Sequence, residues 1–257
     1  MWVPVALSSG LEPGGVMRAV IGDTDVVVWR TSSGRANAWN NRCPHRGMRL
    51  SFGFVRGDRL ACLYHGWQYG EDAVCRYIPA HPDLEPPESI AATAYQVAER
   101  DGLIWVSLAE SDAPDFPTYG PTYSAAPVRS LAIDADVDAV RAALDGAAFP
   151  ISEDWTPGTG TVVTVASDEA MIVLEGRAEG RTRTLVAALQ PLPDDATMLH
   201  LMIDGDPSDG DPGAALKKRL SRWSERLRWF LENPDTPSTS WAPARAQAPS
   251  RTQATGG

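Results

Sequence analysis

The sequence predicts two domains, a β-rich one over residues 1–110 and a smaller α+β one over residues 128–232. Three observations predict this. The first part is a series of short apolar or alternating runs parted by glycine turns. A proline-rich stretch then interrupts the chain. Beyond it, strand-like runs lie between a short helical segment and a long one.

In the first domain Val16 to Ile21, Asp25 to Arg30, Arg59 to Cys62, Thr93 to Val97 and Leu103 to Leu108 read as strands, with turns at Gly22-Asp23 and Ser33-Gly34. Ser111 to Pro117, continuing through Pro121 and Pro127, can form neither ladder nor helix, so residues 111–127 read as a linker. Val128 to Ile133 then reads as a strand leading into a helix from Asp136 to Leu144, capped by Asp134 or Asp136. Strands follow at Thr161 to Ala166, Ala170 to Glu175, Thr182 to Leu189 and Met198 to Ile203. A helix from Gly213 to Leu231 closes the domain, its stripe of Leu216, Leu220, Trp223, Leu227 and Leu231 facing inward. Lys217, Lys218, Arg219, Arg222 and Arg226 form its solvated face. Residues 233–257 hold too little apolar surface to fold and read as a disordered tail.

A chain of 257 residues can bury one large core or two modest ones. The net charge of −10 argues against nucleic acid or an anionic lipid surface as partner. No run approaches the ~18 apolar residues of a membrane span. Met1 to Leu7 lacks a basic leader, so no signal peptide is expected and the cytoplasm is the expected location. Three cysteines cannot make a disulfide framework.

Chemistry concentrates in two short segments. Cys43-Pro44-His45 and Cys62-Leu63-Tyr64-His65 give a C-x-H and a C-x2-H, each a tight loop able to aim two side chains at one place. Two thiolates on one iron and two imidazoles on the other is the arrangement of a Rieske [2Fe–2S] cluster. Two Cys and two His also bind zinc, but zinc sites keep Cys-Cys and His-His pairs at their own spacings. The third thiol, Cys75, reads as a buried structural cysteine.

The flanking residues decide between the two metals. Cys43-Pro44-His45-Arg46-Gly47 and Cys62-Leu63-Tyr64-His65-Gly66-Trp67 resemble the cluster loops of Rieske non-heme iron oxygenases. Trp2, Val27-Val28-Trp29-Arg30, Ile78-Pro79 and Gly102-Leu103-Ile104-Trp105-Val106 extend the resemblance over the first 110 residues. It implies ligands Cys43, His45, Cys62 and His65, supported by Arg46, Gly47, Tyr64, Gly66 and Trp67. Met48 and Tyr64 stand where high-potential Rieske proteins have an extra disulfide, so the low-potential branch fits. The resemblance also implies that the second domain is a shortened helix-grip (START-like) fold.

The second domain departs from the family at its iron site. The family's Asp-x2-His-x4-His signature, aligned on Asp145, places Ala148 and Glu153 where the two histidines belong. Of four histidines only His81 and His200 lie outside the cluster loops, so mononuclear Fe(II) is not expected in this chain. His200 reads as a core or pocket histidine. Asp145 is retained; in the family that aspartate bridges the cluster of one subunit to the iron of its neighbour, and it equally reads as an ordinary helix-end residue.

Three functions follow. The first is an electron-transfer subunit that takes electrons from a reductase or ferredoxin and passes them to a related oxygenase subunit in a mixed ring. The second is an oxygenase in its own right, with Glu153, His200 and Glu225 or Asp204 as iron ligands. The third is a ligand-binding or scaffolding subunit whose helix-grip pocket is lined by Trp155, Met171, Leu185 and Met198.

Overall fold

Alternation of apolar and polar side chains builds three antiparallel sheets in this computed structural model, which describes residues 1–109, 116, 125–152, 156, 160–178, 180–204 and 213–235. The first domain contains β1 (Trp2–Leu7), β2 (Val16–Ile21), β3 (Thr24–Arg30), β4 (Ala36–Asn40), β5 (Phe54–Arg56), β6 (Arg59–Ala61), β7 (Gln68–Tyr69), β8 (Cys75–Tyr77), β9 (Ala94–Arg100) and β10 (Leu103–Ser107). Six of these strands form a sheet in the order β1-β10-β9-β4-β3-β2, and four form a small sheet in the order β5-β6-β7-β8. The second domain contains β11 (Ala125–Ile133), α1 (Val137–Leu144), β12 (Thr161–Ser167), β13 (Met171–Ala178), β14 (Arg181–Leu192), β15 (Ala196–Asp204) and α2 (Ala214–Glu232). Its five strands run in the order β11-β15-β14-β13-β12.

Arg30 ties the first domain together. Its buried guanidinium donates to both oxygens of Glu99 at 2.7 and 2.9 Å and to the carbonyls of Leu11, Gly34 and Ser8. Strand β3, strand β9 and the turn after β1 are thereby held by one side chain.

The second sheet is buried on both faces. Ile172, Leu174, Leu185, Ala187, Leu189, Leu199, Leu201 and Ile203 face the helices, where they meet Val140, Leu144, Leu216, Leu220, Trp223 and Leu227. The alternate residues Met171, Val173, Val186, Ala188 and Met202 pack against Trp2, Leu7, Leu103 and Trp105 of the first domain. A period of two puts each strand's neighbours on opposite faces. For that reason Met171 and Leu185, both expected to line one pocket, point into different cores; Trp155 lies outside the described residues.

Several boundaries differ from expectation. Strand β11 begins at Ala125 and contains Pro127, inside the stretch expected to be linker. An edge strand with a register shift between Pro127 and Arg129 accommodates a residue without an N–H. Phe116, from the same stretch, packs its ring 5.4 Å from Trp2 and 5.2 Å from Trp105. The rest of the linker before Ala125, and residues 236–257 of the tail, lie outside the described residues. Asp136, rather than Asp134, caps α1, accepting from the Ala139 N–H at 2.7 Å. No helix among the described residues is long and apolar enough to cross a membrane.

His200 sits on β15 toward the first domain, fully buried, with Nδ1 2.8 Å from the Ser130 hydroxyl. Its Nε2 faces the Pro4 backbone without a well-formed hydrogen bond. Burial lowers its pKa to about 4, the Pro4 carbonyl opposing only weakly. The unfolded chain therefore binds this proton below pH ~6.5 while the folded chain refuses it until about 4. Urea unfolding is expected to show about 3 kcal/mol of stability lost as pH falls across that window, and a flatter profile in His200→Leu.

Candidate metal centre

The two candidate loops are built alike. The first joins β4 to β5 and the second joins β6 to β7. In the first, Cys43 N–H donates to Met48 O at 2.8 Å and Gly47 N–H to Cys43 O at 2.8 Å. In the second, Cys62 N–H donates to Trp67 O and Gly66 N–H to Cys62 O, both at 2.9 Å. Gly47 and Gly66 both have φ of +70°, which only glycine adopts without strain, so each loop turns back on itself at the same place. At Gly66 a Cβ would also meet Pro79 at 3.0 Å.

This geometry sorts the four candidate ligands into two pairs. Cys43 and Cys62 are buried in the core with Leu50, Leu60, Trp39 and Cys75. Burial pushes the Cys62 thiol up, the Tyr64 and His65 backbone amides oppose this, and neighbouring Cys43 adds to the rise. Two adjacent buried sulfurs ionise readily only beside a positive charge such as a metal. His45 and His65 lie outward, their rings 4.8 Å apart. Trp67 stacks on His45 at 4.1 Å, nearly parallel, and Tyr64 stacks on His65 at 3.9 Å. Arg46 is exposed beside them.

A buried thiol pair beneath an outer imidazole pair fits two irons side by side better than one zinc ion.

The sequence reading missed Tyr69. Its hydroxyl lies 3.1 Å from Cys43 Sγ, fully buried, and burial followed by that contact pushes its pKa up, so it stays protonated. Its one sequence signal is its place two residues after Trp67, on the inward face of a strand. A hydroxyl donating to a cluster sulfur favours the reduced, more negative state. Tyr69→Phe is expected to lower the reduction potential by roughly 40 mV, about 1 kcal/mol for one electron, measurable by redox titration.

The loop base is held by Asp25. It accepts from Arg18 at 2.6 Å, Arg49 at 2.8 Å and Asn41 at 3.0 Å. Burial pushes its carboxyl up, but those three donors outweigh it and hold the pKa at about 2. Arg49 and Asn41 flank the first loop, so Asp25 clamps both its ends.

The remaining predicted positions are not joined to the cluster loops. Asp145 is exposed at the end of α1, its carboxylate accepting from the Thr164 hydroxyl at 2.6 Å. Ala148 is half-buried with its carbonyl bonded by the Trp223 indole at 3.0 Å. Glu153 lies outside the described residues. His200 faces the first domain while Glu225 projects from α2 toward Arg129, so the sheet separates these two proposed iron ligands.

Comparison with known proteins agrees with this geometry. Residues 1–91 match the family model of the Rieske [2Fe–2S] domain. The Oxidoreductase NdmD of Pseudomonas putida is 36% identical over 144 residues, covering 54% of this chain and 24% of that protein. The 3-chlorobenzoate-3,4-dioxygenase oxygenase subunit of Comamonas testosteroni is 36% identical over 107 residues, covering 41% of this chain and 25% of that subunit. The matched part is thus about a quarter of either relative. Among solved structures, Pseudomonas putida CBB5 NdmA superposes with a TM-score of 0.69 at 22% identity, covering 96% of this chain and 84% of NdmA, which establishes a common fold.

The first domain is a Rieske domain, and such a domain implies a [2Fe–2S] cluster. Over that part the chain is similar to components of Rieske-type oxygenase systems.

Proposed function

We propose that this chain is the electron-transfer subunit of a Rieske-type oxygenase system. It accepts electrons from a reductase or ferredoxin and delivers them to the mononuclear iron of a related partner subunit. The observation that carries this reading is an intact pair of cluster loops next to a second domain in which Phe149 and Ile151 are buried in the described core and Ala148 stands at an expected ligand position. Cys43 and Cys62 would hold one iron of the cluster, and His45 and His65 the other. When bound, the cluster supplies reversible one-electron chemistry. The chain's own residues orient the imidazoles through Trp67 and Tyr64, shield the sulfurs from water, and hold a proton at the Tyr69 hydroxyl.

The second domain reads as a shortened helix-grip, a curved antiparallel sheet gripping a long C-terminal helix. In this reading Ala147, Phe149 and Ile151, all buried, occupy the space behind α1 where relatives would carry iron ligands. Asp145 remains the candidate bridge to the partner. The cytoplasm is the proposed location.

Iron and acid-labile sulfide per chain, with the EPR spectrum of the dithionite-reduced protein, test this. Two irons, two sulfides and a rhombic Rieske signal support the carrier role. A third iron that binds nitric oxide would make the chain an oxygenase instead.

A further inference from the structure

The chain carries a net charge of −10, yet positive charge gathers on the segment that joins and includes the two cluster loops. Between Asn41 and Trp67 five arginines, Arg42, Arg46, Arg49, Arg56 and Arg59, stand against one acid, Asp58. The middle of this segment is the hairpin of β5 and β6, in which Arg56 pairs with Arg59 across the Gly57-Asp58 turn. That turn is the end of the hairpin remote from the cysteines. Cys62 follows Arg59 by three residues, about 10 Å along an extended chain.

An open cleft of about 670 Å³ borders the hairpin, and Arg56, Arg59, Arg35 and Arg76 all line it. Its three carboxylates are already engaged. Glu71 accepts from Arg35 at 3.4 Å, Asp72 pairs with Arg76, and Asp58 accepts from the Ser33 N–H at 3.1 Å. Arg56 and Arg59 are exposed and, among the described residues, form no ion pair. The Arg56 guanidinium lies over the Phe54 ring, 5.2 Å from its centroid, and Phe52 and Phe54 are both exposed. Guanidinium groups beside exposed aromatic rings have the composition of a protein interface, where arginine is favoured over lysine. The first 110 residues contain no lysine.

We infer that this arginine hairpin is the docking site of the electron donor, a protein with an acidic face. Charge complementarity selects that occupant. Such a partner is repelled by the chain as a whole and attracted at the hairpin, so encounter is steered there. The aromatic rings then supply contact that a small anion could not use. One electron passes from donor to cluster, and no bond or proton is exchanged. Docking at the remote end of the hairpin leaves the outward imidazoles of His45 and His65 open toward the acceptor. The inference rests on the cluster being reduced by a donor protein, whether the chain is a carrier or itself an oxygenase. A third iron would therefore overturn the carrier reading and leave this one standing.

Isothermal titration calorimetry of the cluster-loaded protein with an oxidised plant-type [2Fe–2S] ferredoxin of net negative charge tests it. The wild type is expected to bind, with affinity falling roughly tenfold between about 50 and 200 mM salt. Arg56→Glu and Arg59→Glu are each expected to weaken binding by roughly tenfold at low salt. Both side chains are exposed, so each variant is expected to keep the iron content and EPR spectrum of the parent. Lys218→Glu, on the exposed face of α2, changes the net charge equally and is expected to bind as the wild type does. Stopped-flow reduction by the reduced ferredoxin is expected to slow in the two hairpin variants alone. A wild type that does not bind the ferredoxin overturns the inference. So does binding that ignores salt, or an equal loss in Lys218→Glu.

Discussion

Cys62→Ser is expected to purify with almost no iron or labile sulfide, and without the visible absorbance of the parent. Cys62 is buried beside Cys43, Leu60 and Tyr69, at the foot of the second loop. A serine hydroxyl there would have to ionise within an apolar core to replace a thiolate, and it is a poor ligand for iron beside sulfide. If Cys62 is one of four ligands, its loss would leave the adjacent iron open to solvent. The fold is expected to persist in part, because β3, β4, β9 and β10 are held by a core that contains neither cysteine. Far-ultraviolet circular dichroism near that of the parent, with iron below about a tenth of the parent's, is the expected pair of results. Full iron retention would remove Cys62 from the ligand set and with it the pairing of thiols and imidazoles. His65→Ala is a weaker test of the same idea, since an exposed ligand can be replaced by water.

The first domain was largely legible because its signals are local. A C-x-H and a C-x2-H each lie within one loop, and each glycine that closes a loop follows its cysteine by four residues. Strands β2, β3 and β10 announced themselves by apolar runs. Strand β1, with Pro4 inside it, and the short strands β5, β7 and β8 did not, since two or three residues cannot establish a period. Tyr69 was missed because its role depends on Cys43, 26 residues away. The two-faced burial of the second sheet was missed for a related reason. Runs such as Leu185-Val186-Ala187-Ala188-Leu189 are apolar throughout, and such a run hides which residue faces which core. Only the packing of Trp2 and Trp105 against one face separates Met171 from Leu185. Ala148 stands where the family's aligned signature has its first histidine, but its packing, with its carbonyl bonded by the Trp223 indole, depends on a residue 75 positions away.

Phe149→Ala is expected to destabilise the chain by about 3–5 kcal/mol while leaving the cluster's spectrum unchanged. Phe149 is fully buried among Val140, Leu144, Ile172 and Leu174, and it follows the helix whose end carries Asp145. It reaches over Gly176, where a Cβ would lie 2.9 Å from both Phe149 and Ile151. The ring therefore occupies space that the sheet itself leaves open. Truncation would leave an apolar cavity, which in such surroundings stays dry and takes small apolar guests such as benzene or xenon. Gly176→Ala should destabilise from the other direction, by about 1–3 kcal/mol, because the added methyl overpacks the same point. Chemical unfolding measures both losses, and xenon binding to the two proteins separates a filled interior from a cavity already present. A loss below about 1 kcal/mol in Phe149→Ala, or equal xenon binding by parent and variant, would mean that the interior is not filled. A filled interior leaves no room there for substrate beside an iron. The chemistry of oxygen would then fall to a partner, and the second domain would serve to hold Asp145 and the Rieske domain at a fixed distance from each other.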